Sequence, residues 1–339
     1  MKKTKKITIN DVAKHANVSK STVSQYLNER FEYMGEKTKD NIQQSIEELG
    51  YAPNFIARSL TKKKTSTIGI IVANILHGFS TQVIRSIEDS CNEKDIHVIV
   101  CNADDDPVKE KKYLTMLQSK QVDGFIIFPS RQNTSVYQQL LDYQIPVVFM
   151  DRIMPEVSVS TILLDNYKAA ELAVEHFSEK GHDNIAIVTP KLEPPITPRI
   201  ERLDGFRMAM DEFGKDCREE FIFSGDLPLL RGQLNKIFKR KVKPTAILAS
   251  NDLALIALLE FCKEKEMRLP EELSIIGIDE VSFAVLHNPG LTTINQPAFE
   301  MGKQAAELLL AQINDHPTKP EIYRYEPRFA VRSSVSDIH

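Results

Sequence analysis

Lys20, Ser21, Thr22, Ser24 and Gln25 gather cationic, hydroxyl and amide side chains into six consecutive positions. Such groups can donate to and accept from base edges and can hold phosphates. They can do so together only if one rigid element presents them. The flanking residues supply one: Val12, Ala13, Ala16, Val18, Val23 and Leu27 have the spacing of two short helices packed across a tight turn. In a helix-turn-helix the second helix enters the major groove, with its N-terminal side chains at the bases.

The punctuation agrees with that reading. Thr8-Ile9-Asn10-Asp11 offers a threonine N-cap with an acidic residue three positions on, much like a capping box. A turn at Asn17-Val18 follows, and Ser19 stands as a second N-cap opening KSTVSQYLNE. A third helix is predicted from Glu36 to Leu49, with Ile42, Ile46 and Leu49 on one face and a stop at Gly50. Tyr51-Ala52-Pro53-Asn54 leads into FIARSLTKKKTS, a linker with helical potential.

From Thr67 the texture changes. The apolar runs TIGIIVA (67–73), HVIVC (97–101), DGFIIF (123–128), PVVFM (146–150), NIAIVT (184–189), TAILAS (245–250) and SIIGI (274–278) alternate with amphipathic segments of helix length. Continuous β-branched runs predict strands buried on both faces of parallel sheets, and the rhythm predicts a doubly wound α/β region. It occurs twice, before and after about residue 163, which predicts two similar lobes.

Charge divides the chain the same way. Residues 1–65 hold 13 Lys/Arg against seven Asp/Glu, a net +6, so the remainder carries −10 of the overall −4. A basic head on an acidic body is expected where only the head meets a polyanion. At 339 residues, 42% hydrophobic and 27% charged, the chain reads as two or three globular units. No run approaches the about 18 apolar residues of a membrane span. The start MKKTKKITIN lacks an apolar core behind its charges, so no signal peptide is expected. Cys91, Cys101, Cys217 and Cys262 show no ligand or disulfide spacing, as expected of reduced thiols in a cytoplasmic protein. No Gly-rich dinucleotide loop, P-loop, G-x-S-x-G elbow or metal cluster stands in the sequence, and the eight histidines are dispersed. The expectation is therefore no catalysis, no metal and no cofactor.

TINDVAKHANVSKSTVSQYLNE resembles the headpiece signature of the LacI/GalR family, and LGYAPNFIARSL resembles its third-helix end and hinge. The resemblance implies an all-α helix-turn-helix headpiece at 7–52, a hinge helix and linker at 53–66, and at 67–339 an effector domain like the periplasmic binding proteins. Thr8, Ser19, Lys20, Ser21, Thr22, Ser24, Gln25 and Asn28 would face the operator. Asn17 stands where the family usually has Gly; Asn tolerates left-handed geometry, so the turn survives. Gln25 stands where it usually has Arg, which suits guanine, whereas Gln suits adenine. In the hinge, Leu60 takes the position of the family's minor-groove wedge, with Asn54 and Ala57 as neighbours and Lys62, Lys63 and Lys64 near phosphates.

More loosely, STIGIIV, VDGFIIF, PVVFMDR, ERLDGF, TAILASND, IIGIDE, LTTINQP, MGKQAAELL and VRSSV resemble the family's effector domain, two α/β lobes joined by crossing strands with the ligand between them. Strand C-terminal ends supply ligand groups in open parallel sheets, and Asp151-Arg152, Asn251-Asp252 and Asp279 fall there. The resemblance makes Arg202, Asn251 and Asp279 the grip on the effector, with Asp151 and Gln296 next. Leu227 matches a position often aromatic, and Phe79 and Phe128 could wall a sugar ring. Asp252 reads instead as a helix N-cap. Should Arg131, Arg152 and Arg199 converge on the cleft, the effector would be anionic, a sugar acid or sugar phosphate. The chain also bears a likeness to the ketodeoxygluconate regulators of pectin breakdown. The partners expected are a pseudo-palindromic operator in double-stranded DNA, a small carbohydrate or sugar-acid effector and a second copy; the chain stops shortly after VRSSV without a leucine heptad, which suits a dimer.

Overall fold

Thr8 opens the first helix as the sequence predicts. Its backbone N–H and its hydroxyl both donate to the Asp11 carboxylate, at 2.9 and 2.6 Å, tying the N-terminus of α1 (Ile9–His15). The structure is a computed structural model that describes residues 7–28, 30–51, 64–316 and 319–339. The chain separates into units 1–65 and 66–339. In the first unit Asn17 takes φ +53°, the left-handed turn that separates α1 from α2 (Lys20–Leu27). Ser19 Oγ caps α2 by accepting the Thr22 N–H at 3.0 Å. The third helix, α3 (Glu36–Leu49), ends at Gly50 with φ +58°, where Tyr51 N–H returns to the Ile46 carbonyl at 3.0 Å. Val12, Val23 and Ile42 are wholly buried and Ala13 and Ala16 nearly so, with Val18, Leu27, Ile46 and Leu49 packed around them. Asn54, Ala57, Leu60, Lys62 and Lys63 lie outside the described residues.

The second unit contains two six-stranded sheets. One is formed by β1 (Thr67–Val72), β2 (His97–Asn102), β3 (Gly124–Ile127), β4 (Val147–Met150), β5 (Ser160–Leu164) and β11 (Ile322–Tyr325). Its order is β11-β5-β4-β3-β1-β2, parallel throughout. The other comprises β6 (Ile185–Thr189), β7 (Ile222–Ser224), β8 (Ala246–Ala249), β9 (Ser274–Ile278), β10 (Thr292–Asn295) and β12 (Arg328–Ala330). Its order is β12-β10-β9-β8-β6-β7, with only β12 antiparallel. The first sheet is covered by α4 (Gly78–Asn92), α5 (Pro107–Ser119), α6 (Thr134–Asp142) and α11 (Ala298–Ile313). The second is covered by α7 (Asn166–Glu179), α8 (Thr197–Glu212), α9 (Leu227–Ile237) and α10 (Asp252–Glu264). An apolar cluster fills each face of each sheet, as doubly wound lobes require.

The chain passes between lobes three times: from β5 to α7, from β10 to α11, and from β11 to β12. The first passage falls at Asp165, close to the expected boundary, but α11 and β11 return to the first lobe. HVIVC departs from expectation. Its apolar run predicts burial on both faces, yet β2 is a sheet edge with His97 and Val100 exposed. Apolar residues on an edge need only one covered face.

The lobes repeat one device. Asp151 ends β4 at φ +68° and Asp279 ends β9 at φ +82°. Each bends its strand so that its N–H reaches the carbonyl of the next one, Ile162 and Ile294, at 2.8 and 2.9 Å. Aspartate tolerates this left-handed region better than most side chains. Gly205 sets the spacing of the α7–α8 pair. A Cβ there would meet the Tyr167 Cα at 2.8 Å, so the helix carrying Arg199 and Arg202 lies directly on backbone.

Candidate functional site

On α2, Lys20, Ser21 and Gln25 are exposed and Thr22, Ser24 and Asn28 half-buried. The Ser19 hydroxyl contacts those of Ser21 and Thr22 at 2.6 and 2.8 Å, so three hydroxyls cluster where the helix begins. Asn28 is the C-cap, its Nδ2 donating to the Ser24 carbonyl at 2.7 Å. Its amide is thus partly committed to its own helix, and Thr8 is committed to Asp11.

Between the lobes lies a hollow of about 550 Å³ including its mouth, and Phe79, Phe128, Asp151, Arg199, Arg202, Asn251, Asp279 and Gln296 all line it. Leu227 begins α9; its side chain lies outside the description. Phe79 and Phe128 stand edge to face at 6.3 Å between ring centres and form an apolar wall. Arg199 and Arg202 share a face of α8, one turn apart.

Arg202 is 5% exposed. Its Nε donates to Asn166 Oδ1 at 2.8 Å and its Nη1 to the Ser250 carbonyl at 2.6 Å, and its Nη2 has no hydrogen-bond partner among the described residues. Asn166 Nδ2 donates in turn to Glu201 at 2.9 Å, and Glu201 takes both Arg324 Nη groups at 2.7 and 3.0 Å. This buried chain fixes the guanidinium to the first crossover and to β11. Burial raises the Asp279 carboxyl above its usual range although Arg202 opposes it. The same burial raises Asp151, against Arg152 and Arg202. Gln296 Nε2 donates to Asp279 at 2.6 Å, while its Oε1 is buried without a partner among the described residues, an acceptor suited to a hydroxyl. Asn251 Oδ1 caps α10 by accepting the Ala254 N–H at 2.9 Å, leaving its Nδ2.

Asp252 corrects the sequence reading: Asn251, not Asp252, is the N-cap. Asp252 reaches instead across the cleft, to His77 Nδ1 at 2.6 Å and the Gly78 N–H at 3.0 Å. Burial alone would lower the His77 pKa, but the hydrogen bond and charge of Asp252 raise it. Asp105 makes a second interlobe contact, meeting Arg152 at 2.5 Å and, from the other lobe, Arg199 at 3.1 Å. The Ile153 N–H donates to Thr197 Oγ1 at 2.9 Å and also joins the lobes, as the Arg324–Glu201 pair does. Neither His77 nor Asp105 was singled out from sequence, although both follow strand ends (β1 and β2), where the same rule that found Asp279 applies. Asn166 and Glu201 gave no such signal.

A helix-turn-helix headpiece on a two-lobed body with a polar interlobe hollow defines a ligand-responsive transcription regulator. Residues 8–54 match the bacterial regulatory proteins of the lacI family, and residues 174–335 match a periplasmic binding protein-like domain. The chain belongs to the LacI family. It is 46% identical to the probable HTH-type transcriptional regulator EndR of Paenibacillus polymyxa, over 97% of this chain and 98% of that one. It is 32% identical to the HTH-type transcriptional regulator KdgR of Bacillus subtilis, over 97% of each. Among solved structures, a LacI family regulator from Enterococcus faecium with bound ribose is 28% identical, covers 80% of this chain and all of that one, and superposes with a TM-score of 0.71. No helix among the described residues is long and apolar enough to cross a membrane.

Proposed function

We propose that the chain is a dimeric repressor of carbohydrate catabolic genes, whose operator affinity is set by a sugar or sugar acid bound between the lobes. One observation carries this: Arg202, Asn251, Asp279 and Gln296 turn paired donors and acceptors onto a hollow walled by Phe79 and Phe128. Paired polar groups opposite an apolar wall match a polyhydroxylated ring, which has hydroxyls at its edge and C–H groups on its faces. The ribose carried by the Enterococcus faecium relative supports that class. The α2 residues would read the operator in the major groove, and Leu60 would wedge its centre from the minor groove. An effector that favours one lobe geometry shifts a dimer between operator-competent and incompetent states by its differential affinity.

Thermal unfolding against a panel of sugars and sugar acids identifies the effector, because a ligand bound only by the folded state raises the melting temperature. Arg202→Ala is then expected to weaken that effector about ten- to a hundred-fold, since charged hydrogen bonds carry roughly 1.5–3 kcal/mol. Operator binding without effector stays near normal. A variant that titrates normally by calorimetry, or that loses the operator through unfolding, would make Arg202 a structural residue.

A further inference from the structure

The hollow does not end at Arg199. A second space of about 760 Å³ including its mouth adjoins it and shares Arg152, Ile196 and Arg199 as walls. Its lining adds Arg131, Asp105, Pro194 and Pro195. Three guanidiniums thus face one carboxylate. Asp105 is taken up by Arg152 and Arg199. Arg131, exposed on the turn after β3, has no carboxylate partner among the described residues. Among the described residues Arg152 Nε is buried without a hydrogen-bond partner, and the Asp151 carboxylate stands off at 4.0 Å.

The two spaces differ in charge. The inner one sets two buried carboxyls, Asp151 and Asp279, against three guanidiniums, Arg152, Arg199 and Arg202. The outer one has guanidiniums in excess, and these suit a carboxylate bidentately. Pro194 and Pro195 offer apolar surface to the C–H face of a ring. The two spaces lie in series with Arg152, Ile196 and Arg199 between them, so a ligand that reaches from Arg202 to Arg131 meets both.

We propose that the cleft has a second, outer subsite, and that its ligand is an acidic disaccharide. The neutral ring would sit inward against Arg202 and Asp279, with the uronate carboxylate outward among Arg131, Arg152 and Arg199. This rests on the reading of the inner hollow as a sugar site. It adds to that reading a length and a polarity of the ligand.

The test is calorimetry on the full chain, in gluco and galacto series, with four probes in each: the monosaccharide, its uronate, the neutral disaccharide, and the disaccharide ending in a uronate. The acidic disaccharide is expected to bind at least ten-fold more tightly than its neutral counterpart and than the monouronate. Arg131→Gln is expected to remove about ten-fold from that ligand alone and to leave the apo melting temperature and the neutral sugars unmoved. Arg131→Glu removes more. If a monosaccharide or its uronate binds as tightly as the acidic disaccharide, or Arg131→Gln changes nothing, the outer subsite is overturned while the sugar reading stands. If no probe in either series binds, both fall.

Discussion

Gln25 is exposed on α2, and on the proposed reading its side chain would set the base preference at one position of each half-site. A glutamine amide matches the adenine N6/N7 edge, while an arginine fork matches guanine O6/N7, each worth about 1–3 kcal/mol of discrimination. Gln25→Arg is therefore expected to weaken the native operator and strengthen a site with guanine at one symmetric position per half-site. Binding selection on randomised half-sites with both proteins checks it, and identical preferences at every position would contradict it. Individual residues were unevenly legible in the sequence. The left-handed turn at Asn17 was legible through the resemblance, which has Gly there, and Asp279 through the resemblance and its place after an apolar strand. His77 and Asp105 were harder: each matters through a partner more than ninety positions away in the chain, and neighbouring residues carry no trace of such a partner. Asp252 was misread for the same reason, since an acid at a helix start looks alike whether it caps its own helix or reaches the opposite lobe.

Elements were legible where burial was uniform. SIIGI is β9 residue for residue, and the other six expected strands differ by one or two terminal positions. The short β7 and β12, the half-exposed β11 and the threonine-bearing β5 and β10 were not anticipated, since each lacks the long apolar run that marks a central strand. Helix α8 shows what pattern reading leaves out. Its motif ERLDGF identified Arg202, but what holds Arg202 is Asn166, wholly buried at the start of α7, with Glu201 and Arg324 behind it. Asn166→Ala would leave the buried Arg202 Nε without its partner, at about 1–3 kcal/mol, and would take one of two donors from Glu201 Oε2, which keeps Arg324. It should weaken the effector about ten-fold although Asn166 does not line the hollow. Comparing effector affinity with the apo melting temperature separates the roles. If the melting temperature falls while affinity holds, Asn166 supports the fold but does not position Arg202.

For the body as a whole, the interlobe contacts make closure pH-dependent. His77, in the first lobe, faces Asp252 directly, with Asp279, Asp151 and Asp105 around it. Its folded pKa lies above the ordinary histidine value because Asp252 outweighs burial. That contribution is therefore fully present below the unfolded value of about 6.5 and is lost as pH rises through the folded one. Asp252 has the opposite sign, its pKa being lowered by His77 against its own burial, so its contribution fades only in acid. The clasp is thus strongest in mildly acidic solution and weakens through neutrality. Glu110, buried beside Tyr137 and pushed up to about 7, also destabilises the fold as pH rises toward that value. The raw stability curve therefore cannot isolate the clasp. Wild type minus His77→Gln can, because glutamine keeps a hydrogen-bond donor near Asp252 without the charge and leaves Glu110 untouched. The expected difference in melting temperature favours wild type near pH 6 and shrinks steadily toward pH 8.5. Small-angle scattering of the effector-free protein should show the body opening over the same range in wild type only. A difference curve flat across that range would mean that the His77 charge does not hold the lobes together, leaving closure to the other interlobe contacts, among them Asp105 with Arg199, Ile153 with Thr197 and Arg324 with Glu201.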